Sequence, residues 1–279
     1  MSEALQLTVP AFGAIVIGDE ILSGRRTDRH LPKLIELLGE RGLVLAYAHW
    51  VGDDPDRITA LLRVAALTPD VVFVFGGIGA TPDDHTRQCA ARALDEPMAL
   101  HPDAKRLITA RMVQMAEQQG QAWDPDHPDS IRRLEMGVFP VSAQIIPNPY
   151  NQIPGFSCRG RGGAHLHFVP GFPVMAWPMV AHVLDHTCAQ WFAPGQRAER
   201  SVIVYGAMEA SLTPLMECIE RVHPQVKVFS LPSVDHPEHG RHIDLGVKGP
   251  ASAVSLAFAD LRAGLVEMGV ALGPEMVRH

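Results

Sequence analysis

No run of apolar residues in this chain approaches the roughly 20 needed to span a bilayer, and no basic segment precedes a long apolar one at the N-terminus, Met1-Ser2-Glu3-Ala4-Leu5-Gln6. Neither a membrane span nor a secretory leader is expected, and the chain reads as cytoplasmic. Positive charge is also short: 24 Lys and Arg against 31 Asp and Glu leave a net charge of -7, with no basic excess to hold nucleic acid by its phosphates. Cysteine is scarce. Cys89, Cys158, Cys188 and Cys218 stand far apart, without CxxC or zinc-ribbon spacing, and read as buried reduced thiols, not as a disulfide framework.

What the chain does have is one stretch that organises the rest, Val71-Val72-Phe73-Val74-Phe75-Gly76-Gly77-Ile78-Gly79-Ala80-Thr81-Pro82-Asp83-Asp84-His85-Thr86. Five apolar residues without a charge read as a strand buried on both faces. Three closely spaced glycines follow, and glycine lets backbone N–H groups approach a phosphate with no Cβ in the way. Thr81-Pro82-Asp83-Asp84 reads as a helix start, which would bring free amides and a positive dipole end beside the loop.

The surrounding pattern alternates strand and helix. Phe12 to Ile17 is a strand closed by Gly18-Asp19-Glu20, and Leu31 to Leu38 is a helix behind a Thr27-Asp28 cap. Leu43 to Val51 is a strand turned by Gly52-Asp53-Asp54-Pro55 into a helix over Ile58 to Ala65, and Thr86 to Leu94 is the helix after the glycines. This is the sequence of a parallel α/β sheet. Further on, Leu107 to Ala116 suggests a helix, and Trp123 to Asp129 a loop that is either a lid or a plain surface connection. Ala143 to Pro147 and His165 to Val169 read as strands with loops between them, and Met175 to Trp191 as a helix starting around Pro178. Ala193-Pro194-Gly195 is a linker. The expected domains are residues 1–193 and 197–279, the second a small α+β unit of βαββα order.

Asp19, Glu20, Asp53, Asp83 and Asp84 all follow strands on one edge of one sheet. Any one alone reads as a helix cap. Together, beside a phosphate-binding loop, they suit Mg²⁺ or another hard divalent cation, with Asp83 and Asp84 as its ligands. Arg25, Arg26 and Arg87 are candidates for phosphate oxygens or ordinary surface charges. The pair His165 and His167 and the group His236, His239 and His242 are either metal ligands or surface histidines.

Gly18-Asp19-Glu20-Ile21-Leu22-Ser23-Gly24, Val51-Gly52-Asp53-Asp54 and Gly76 through Thr86 together resemble the molybdopterin-binding domain family, in particular the N-terminal part of the competence/damage-inducible CinA proteins. The resemblance continues through Pro147-Asn148-Pro149, Pro154-Gly155-Phe156 and Val169-Pro170-Gly171-Phe172-Pro173. Glu209-Ala210-Ser211 and Ser230-Leu231-Pro232 resemble the small second domain of CinA proteins, and nothing resembles their C-terminal deamidase domain.

This likeness implies a three-layer α/β/α fold with a mostly parallel sheet, a homo-oligomer, and a small phosphorylated ligand, nucleotide or molybdopterin. The ligand would lie against Gly18, Asp19, Glu20, Gly76, Gly77, Gly79, Thr81, Pro170 and Gly171. It further implies catalytic roles for Asp53 and Asp84, to which the carboxylate edge adds Asp83, either in metal-dependent cleavage of ADP-ribose-like pyrophosphates or in adenylyl transfer to molybdopterin. The chain departs from the family pattern at His30 for asparagine, Ala80 for proline, Asn151-Gln152-Ile153 for Gly-Thr-Ala, and Met175 and Trp177 where glutamate and lysine are common; the last two motivate a third reading, a non-catalytic interaction or regulatory module.

Overall fold

A computed structural model describes residues 9–278, so the N-terminal hexapeptide lies outside the described residues. The chain divides into two compact units, the first ending at Phe192 and the second beginning at Ala193.

In order, the first unit comprises β1 (Phe12–Ile17), α1 (Asp19–Leu22), α2 (His30–Gly39), β2 (Leu45–Val51), α3 (Pro55–Ala66), β3 (Val71–Phe75) and α4 (Thr86–Leu94). Next come β4 (Met98–Leu100), α5 (Pro102–Gln118), α6 (Pro128–Glu135), β5 (Val138–Pro140), β6 (Gln144–Ile146), β7 (Gly155–Arg159), β8 (His165–Val169) and α7 (Pro173–Thr187). Six strands form one sheet in the order β2-β1-β3-β8-β7-β6. The pairs β1/β2, β1/β3 and β3/β8 are parallel, while β7 pairs antiparallel with both β6 and β8.

The pleat sends alternate residues to opposite faces. Ile15, Ile17, Val72 and Val74 pack with Ile58 and Leu62 of α3 and Cys89 and Ala90 of α4. Ala14, Val16, Phe73 and Phe75 pack on the other face with Leu34 and Leu38 of α2 and Met179, Val180 and Val183 of α7. Helices thus cover both faces, and the central strands are apolar throughout because neither side meets water.

The local signals explain most element boundaries. Asp54 caps α3, its Oδ1 accepting from the Asp56 and Arg57 amides at 3.1 and 2.8 Å, with Pro55 at the first helical position. Thr81 to Asp84 does not start a helix. Asp84 Oδ2 turns back to accept from the Thr81 amide at 2.9 Å and hydroxyl at 2.5 Å, which closes a turn, and α4 begins only at Thr86. Helix α7 starts at Pro173, five residues before the expected Pro178, which is carried inside the helix. Strand β7 occupies a segment expected to be loop, and β4 with β5 forms a separate two-stranded sheet. The Trp123 to Asp129 loop runs against α5 and α6, and none of its residues lines the main cavity.

The second unit comprises β9 (Arg197–Tyr205), α8 (Glu209–Val222), β10 (Lys227–His236), β11 (Gly240–Pro250), α9 (Ala251–Glu267) and β12 (Ala271–Arg278). Its sheet, ordered β10-β11-β9-β12, is antiparallel throughout. The order is βαββαβ, one strand more than expected, because β12 continues across Gly273-Pro274 by a register shift between Leu272 and Glu275. All four cysteines are free, and Cys218, contrary to expectation, is exposed. No helix among the described residues is long and apolar enough to cross a membrane.

His167 links the sheet to pH. It is buried on β8, within 2.8 Å of Ser157 Oγ through Nδ1, and its Nε2 has no partner among the described residues. Burial, with the nearby His165 and Arg159 charges, pushes its pKa down to about 3. A histidine in the unfolded chain titrates near 6.5, so unfolding takes up a proton at any pH between these values. Stability from this residue is therefore complete above about pH 6.5 and declines as pH falls toward 3, by roughly 2 kcal/mol at pH 5. Urea unfolding at pH 7 and pH 5 should show this difference in the wild type, reduced by that amount in His167→Phe.

Candidate functional site

Because β1, β2, β3 and β8 run parallel, their C-terminal ends share one edge, where open α/β sheets bind ligands. The segments leaving these strands enclose a cavity of about 430 Å³. Gly18 and Glu20 come to it from β1, Asp53 from β2, Gly76, Gly77 and Gly79 with Thr81, Asp83 and Asp84 from β3, and Pro170 and Gly171 from β8. Asp19 lies behind this lining and touches it through Asp53: the Asp19 amide donates to Asp53 Oδ2 at 3.0 Å, and the Asp53 amide to Asp19 Oδ1 at 3.3 Å.

The glycine loop is oriented from behind by α4. The Thr86 hydroxyl donates to the Gly76 carbonyl at 2.9 Å, the Thr86 amide to the Gly77 carbonyl at 2.9 Å, and Arg87 Nη2 to the Gly79 carbonyl at 2.7 Å. In a trans peptide the C=O and the following N–H point in opposite directions. Three carbonyls fixed toward α4 therefore turn the amides of Gly77, Ile78 and Ala80 away from it. Among the described residues none of the four amides from Gly77 to Ala80 has a protein acceptor, whereas the Gly76 amide, expected to face the ligand, is held by the Val169 carbonyl at 3.0 Å. Consecutive free N–H groups form an anion-binding concavity. Across the crevice His30, stacked on Phe75 with ring centroids 4.6 Å apart, is within 3.0 Å of the Gly171 carbonyl through Nε2 and fixes the β8 loop in the same manner. Burial holds the His30 pKa below its ordinary value.

Four carboxylates, Glu20, Asp53, Asp83 and Asp84, line the cavity against one guanidinium, Arg26. Burial raises the Asp53 pKa; the Asp19 amide opposes this, and the charges of Asp19, Glu20 and Asp83 reinforce it. Arg25 does not line the cavity. Arg87 is buried behind the loop, where it donates to the Gly79 and Glu135 carbonyls, so its charge braces protein backbone and does not face a ligand.

The opposite wall is marked in the sequence only by the family resemblance and by departures from it, and none of its residues is placed at the site by its own chemistry. Met136, Asn148, Asn151, Ile153, Pro154, Phe172 and Met175 complete the cavity, drawn from segments that follow α6, precede β7 and open α7.

Neither histidine group is built as a metal site. His165 pairs with Arg159 and His167 with Ser157. At the β10–β11 hairpin the rings of His236, His239 and His242 lie 5.0 to 5.6 Å apart. Their Nδ1 atoms are occupied, by the Glu238 and His239 amides, the Tyr205 hydroxyl and the Gly240 carbonyl respectively. Among the described residues no group of three or more His, Cys, Asp or Glu side chains is arranged to hold a metal ion by itself.

Comparison with known proteins agrees with this architecture. A family model described as a probable molybdopterin binding domain matches residues 13–189. A CinA-like protein of an Anaeromyxobacter species is 34% identical over 157 residues, which are 56% of this chain and 36% of that one, so the chain spans about a third of that relative's length. A protein of Pyrobaculum calidifontis is 27% identical over 263 residues, 93% of this chain and 96% of its own. The crystal structure of CinA from Thermoplasma acidophilum, described as of unknown function, superposes with a TM-score of 0.53 at 28% identity, covering 63% of this chain and 97% of that one.

Proposed function

The chain belongs to the molybdopterin-binding domain family, and on that premise we propose that its crevice binds a phosphorylated nucleotide or pterin and hydrolyses an ADP-ribose-like pyrophosphate with a divalent cation. The observation that carries this reading is the run of four amides from Gly77 to Ala80 that have no protein acceptor among the described residues, in a loop lining the cavity that also holds Asp53, Asp83 and Asp84. Those amides take the phosphate oxygens.

The donor set fits a hard cation. Four carboxylates against one guanidinium repel a bare phosphate, and Mg²⁺ or Mn²⁺ is commonly held by one or two carboxylates together with ligand phosphates and water. Asp83 and Asp53 Oδ1, the Asp53 oxygen that the Asp19 amide leaves uncommitted, would hold it. When bound, such an ion supplies Lewis-acid polarisation of a phosphoryl oxygen. Water adds to one phosphorus, the bridging P–O bond breaks, and AMP and ribose 5-phosphate result. Asp84 takes the water's proton through Oδ1, since Oδ2 is engaged by Thr81.

Purified protein incubated with ADP-ribose and Mg²⁺, Mn²⁺ or Co²⁺ is expected to release AMP; no AMP with any of the three removes the hydrolytic reading. Asp84→Asn separates chemistry from architecture. Its amide oxygen still accepts from Thr81, so stability should stay within about 1 kcal/mol of wild type, while AMP release should fall by about a hundredfold or more, the scale of losing a general base. Unchanged release would leave Asp84 a purely structural role.

A further inference from the structure

The cavity has two chemically different walls. Every ionisable side chain facing it, Glu20, Arg26, Asp53, Asp83 and Asp84, comes from the segments after β1, β2 and β3. The wall formed by Asn151, Ile153, Phe172 and Met175 carries no ionisable group. Phe172 is 55% exposed, an aromatic face left uncovered at the cavity.

Of the two asparagines on that wall, Asn148 commits both Nδ2 protons, to Asn151 Oδ1 and the Ile153 carbonyl, which leaves Asn151 as the polar reader, and its orientation is determined. Its Oδ1 accepts from Asn148 Nδ2 at 2.7 Å and from the Ile153 amide at 3.0 Å, so exchanging oxygen and nitrogen would set the NH₂ against two donors. Nδ2 donates one proton to Met175 Sδ at 3.2 Å. Its second proton has no acceptor among the described residues. The loop that carries it is fixed by two more bonds, Asn148 Nδ2 donating to the Ile153 carbonyl and the Tyr150 amide donating to Asn148 Oδ1, and holds Gln152 at φ 64°, a conformation a side chain adopts only when its surroundings impose it.

We infer, building on the function proposed above, that this wall is a subsite for an uncharged heteroaromatic ring. The ring stacks against Phe172 and the Met175 thioether and accepts a hydrogen bond from the second N–H of Asn151. A ring with an acceptor on its edge fits, and a nucleobase and a pterin share that chemistry. A carboxylate or ammonium group does not fit, because nothing on this wall would neutralise it. Asn151 and Met175 are then specificity determinants that act on the ring and leave the phosphate to the glycine loop.

Calorimetric titration with AMP, a pterin monophosphate and ribose 5-phosphate, each with excess Mg²⁺, tests this. At least one ring-bearing phosphate should bind about tenfold or more tighter than ribose 5-phosphate, and the tighter of the two names the ring. Asn151→Ala should weaken that ligand about fivefold, the loss of one hydrogen bond, with ribose 5-phosphate unchanged. Met175→Ala, which leaves the Asn148–Asn151–Ile153 brace in place, should do likewise, and thermal unfolding of each variant reports whether the loop is intact. Equal binding of all three probes, or ring affinity indifferent to both substitutions, overturns the subsite and leaves the phosphate site standing. Binding of none of the three overturns both.

Discussion

Gly77→Ala is expected to destabilise the first unit by about 3 kcal/mol, lowering its Tm by about 9 °C, and to abolish phosphate binding. Two effects add. Gly77 has φ 68°, a left-handed conformation that costs an alanine roughly 1 to 2 kcal/mol. A Cβ there would also overlap the Thr86 hydroxyl, and the backbone shift needed to relieve such overpacking costs about 1 to 3 kcal/mol more. Thr86 cannot yield cheaply, because its hydroxyl and amide fix the Gly76 and Gly77 carbonyls. Gly120 provides the control, with the same φ of 68° and nothing within 4 Å of its Cβ position. Gly120→Ala should cost only the backbone contribution, about 1 to 2 kcal/mol, so thermal melts of the two variants separate steric conflict from backbone conformation. Equal losses would mean that the Thr86 contact is not what holds the loop.

The second large effect is expected from Arg87→Ala. Arg87 is 4% exposed and spans the Gly79 and Glu135 carbonyls with two arms of one guanidinium. Truncation leaves both acceptors without their donor and opens a void, together about 3 kcal/mol. The loop should suffer more than the fold. With the Gly79 carbonyl released, the Ala80 amide loses its fixed direction, and affinity for AMP should drop by about tenfold even at temperatures where the variant is fully folded. Arg87→Lys should recover little, since an ammonium lacks the planar fork that reaches two carbonyls. Recovery of AMP affinity by lysine would show that the charge, and not the bracing geometry, is what the loop needs.

The legible parts of the sequence were those where local chemistry and tertiary structure agree. The runs Phe12 to Ile17 and Val71 to Phe75 are apolar because both sheet faces are covered, and Asp54-Pro55 is both a cap signal and a cap. Reading failed where one signal had two structural solutions. Thr81-Pro82-Asp83-Asp84 has the composition of a helix start, but Asp84 satisfies Thr81 behind it instead of an amide ahead. Pro173 and Pro178 both suit a first helical turn, and the earlier one takes it. Strand β7 is short and bounded by Pro154 and Gly160, so its pairing comes from β6 and β8 and not from its own propensity. At the candidate site, the glycines and carboxylates announce themselves because each follows a strand. Arg87 misled because an arginine next to a phosphate loop looks like a ligand residue, and only the fold shows it facing backbone. The wall bearing Asn151 and Met175 joins loops that are distant in sequence, and no spacing rule connects them.

The pairing of β3 with β8 has a kinetic consequence. Val71 lies opposite His165 and Phe75 opposite Val169, partners roughly a hundred residues apart along the chain, while β1, β2 and β3 find one another within about sixty. Contacts that close long loops form late, because the entropy of closure is spent before they contribute. A nascent chain that has finished α4 already has its glycine loop and the Thr86 and Arg87 donors that orient it. The facing Pro170–Gly171 segment arrives only with β8, and with it the Val169 carbonyl that holds the Gly76 amide. The crevice is thus among the last features to be completed, and its closure reports that the strands on both sides of it have paired.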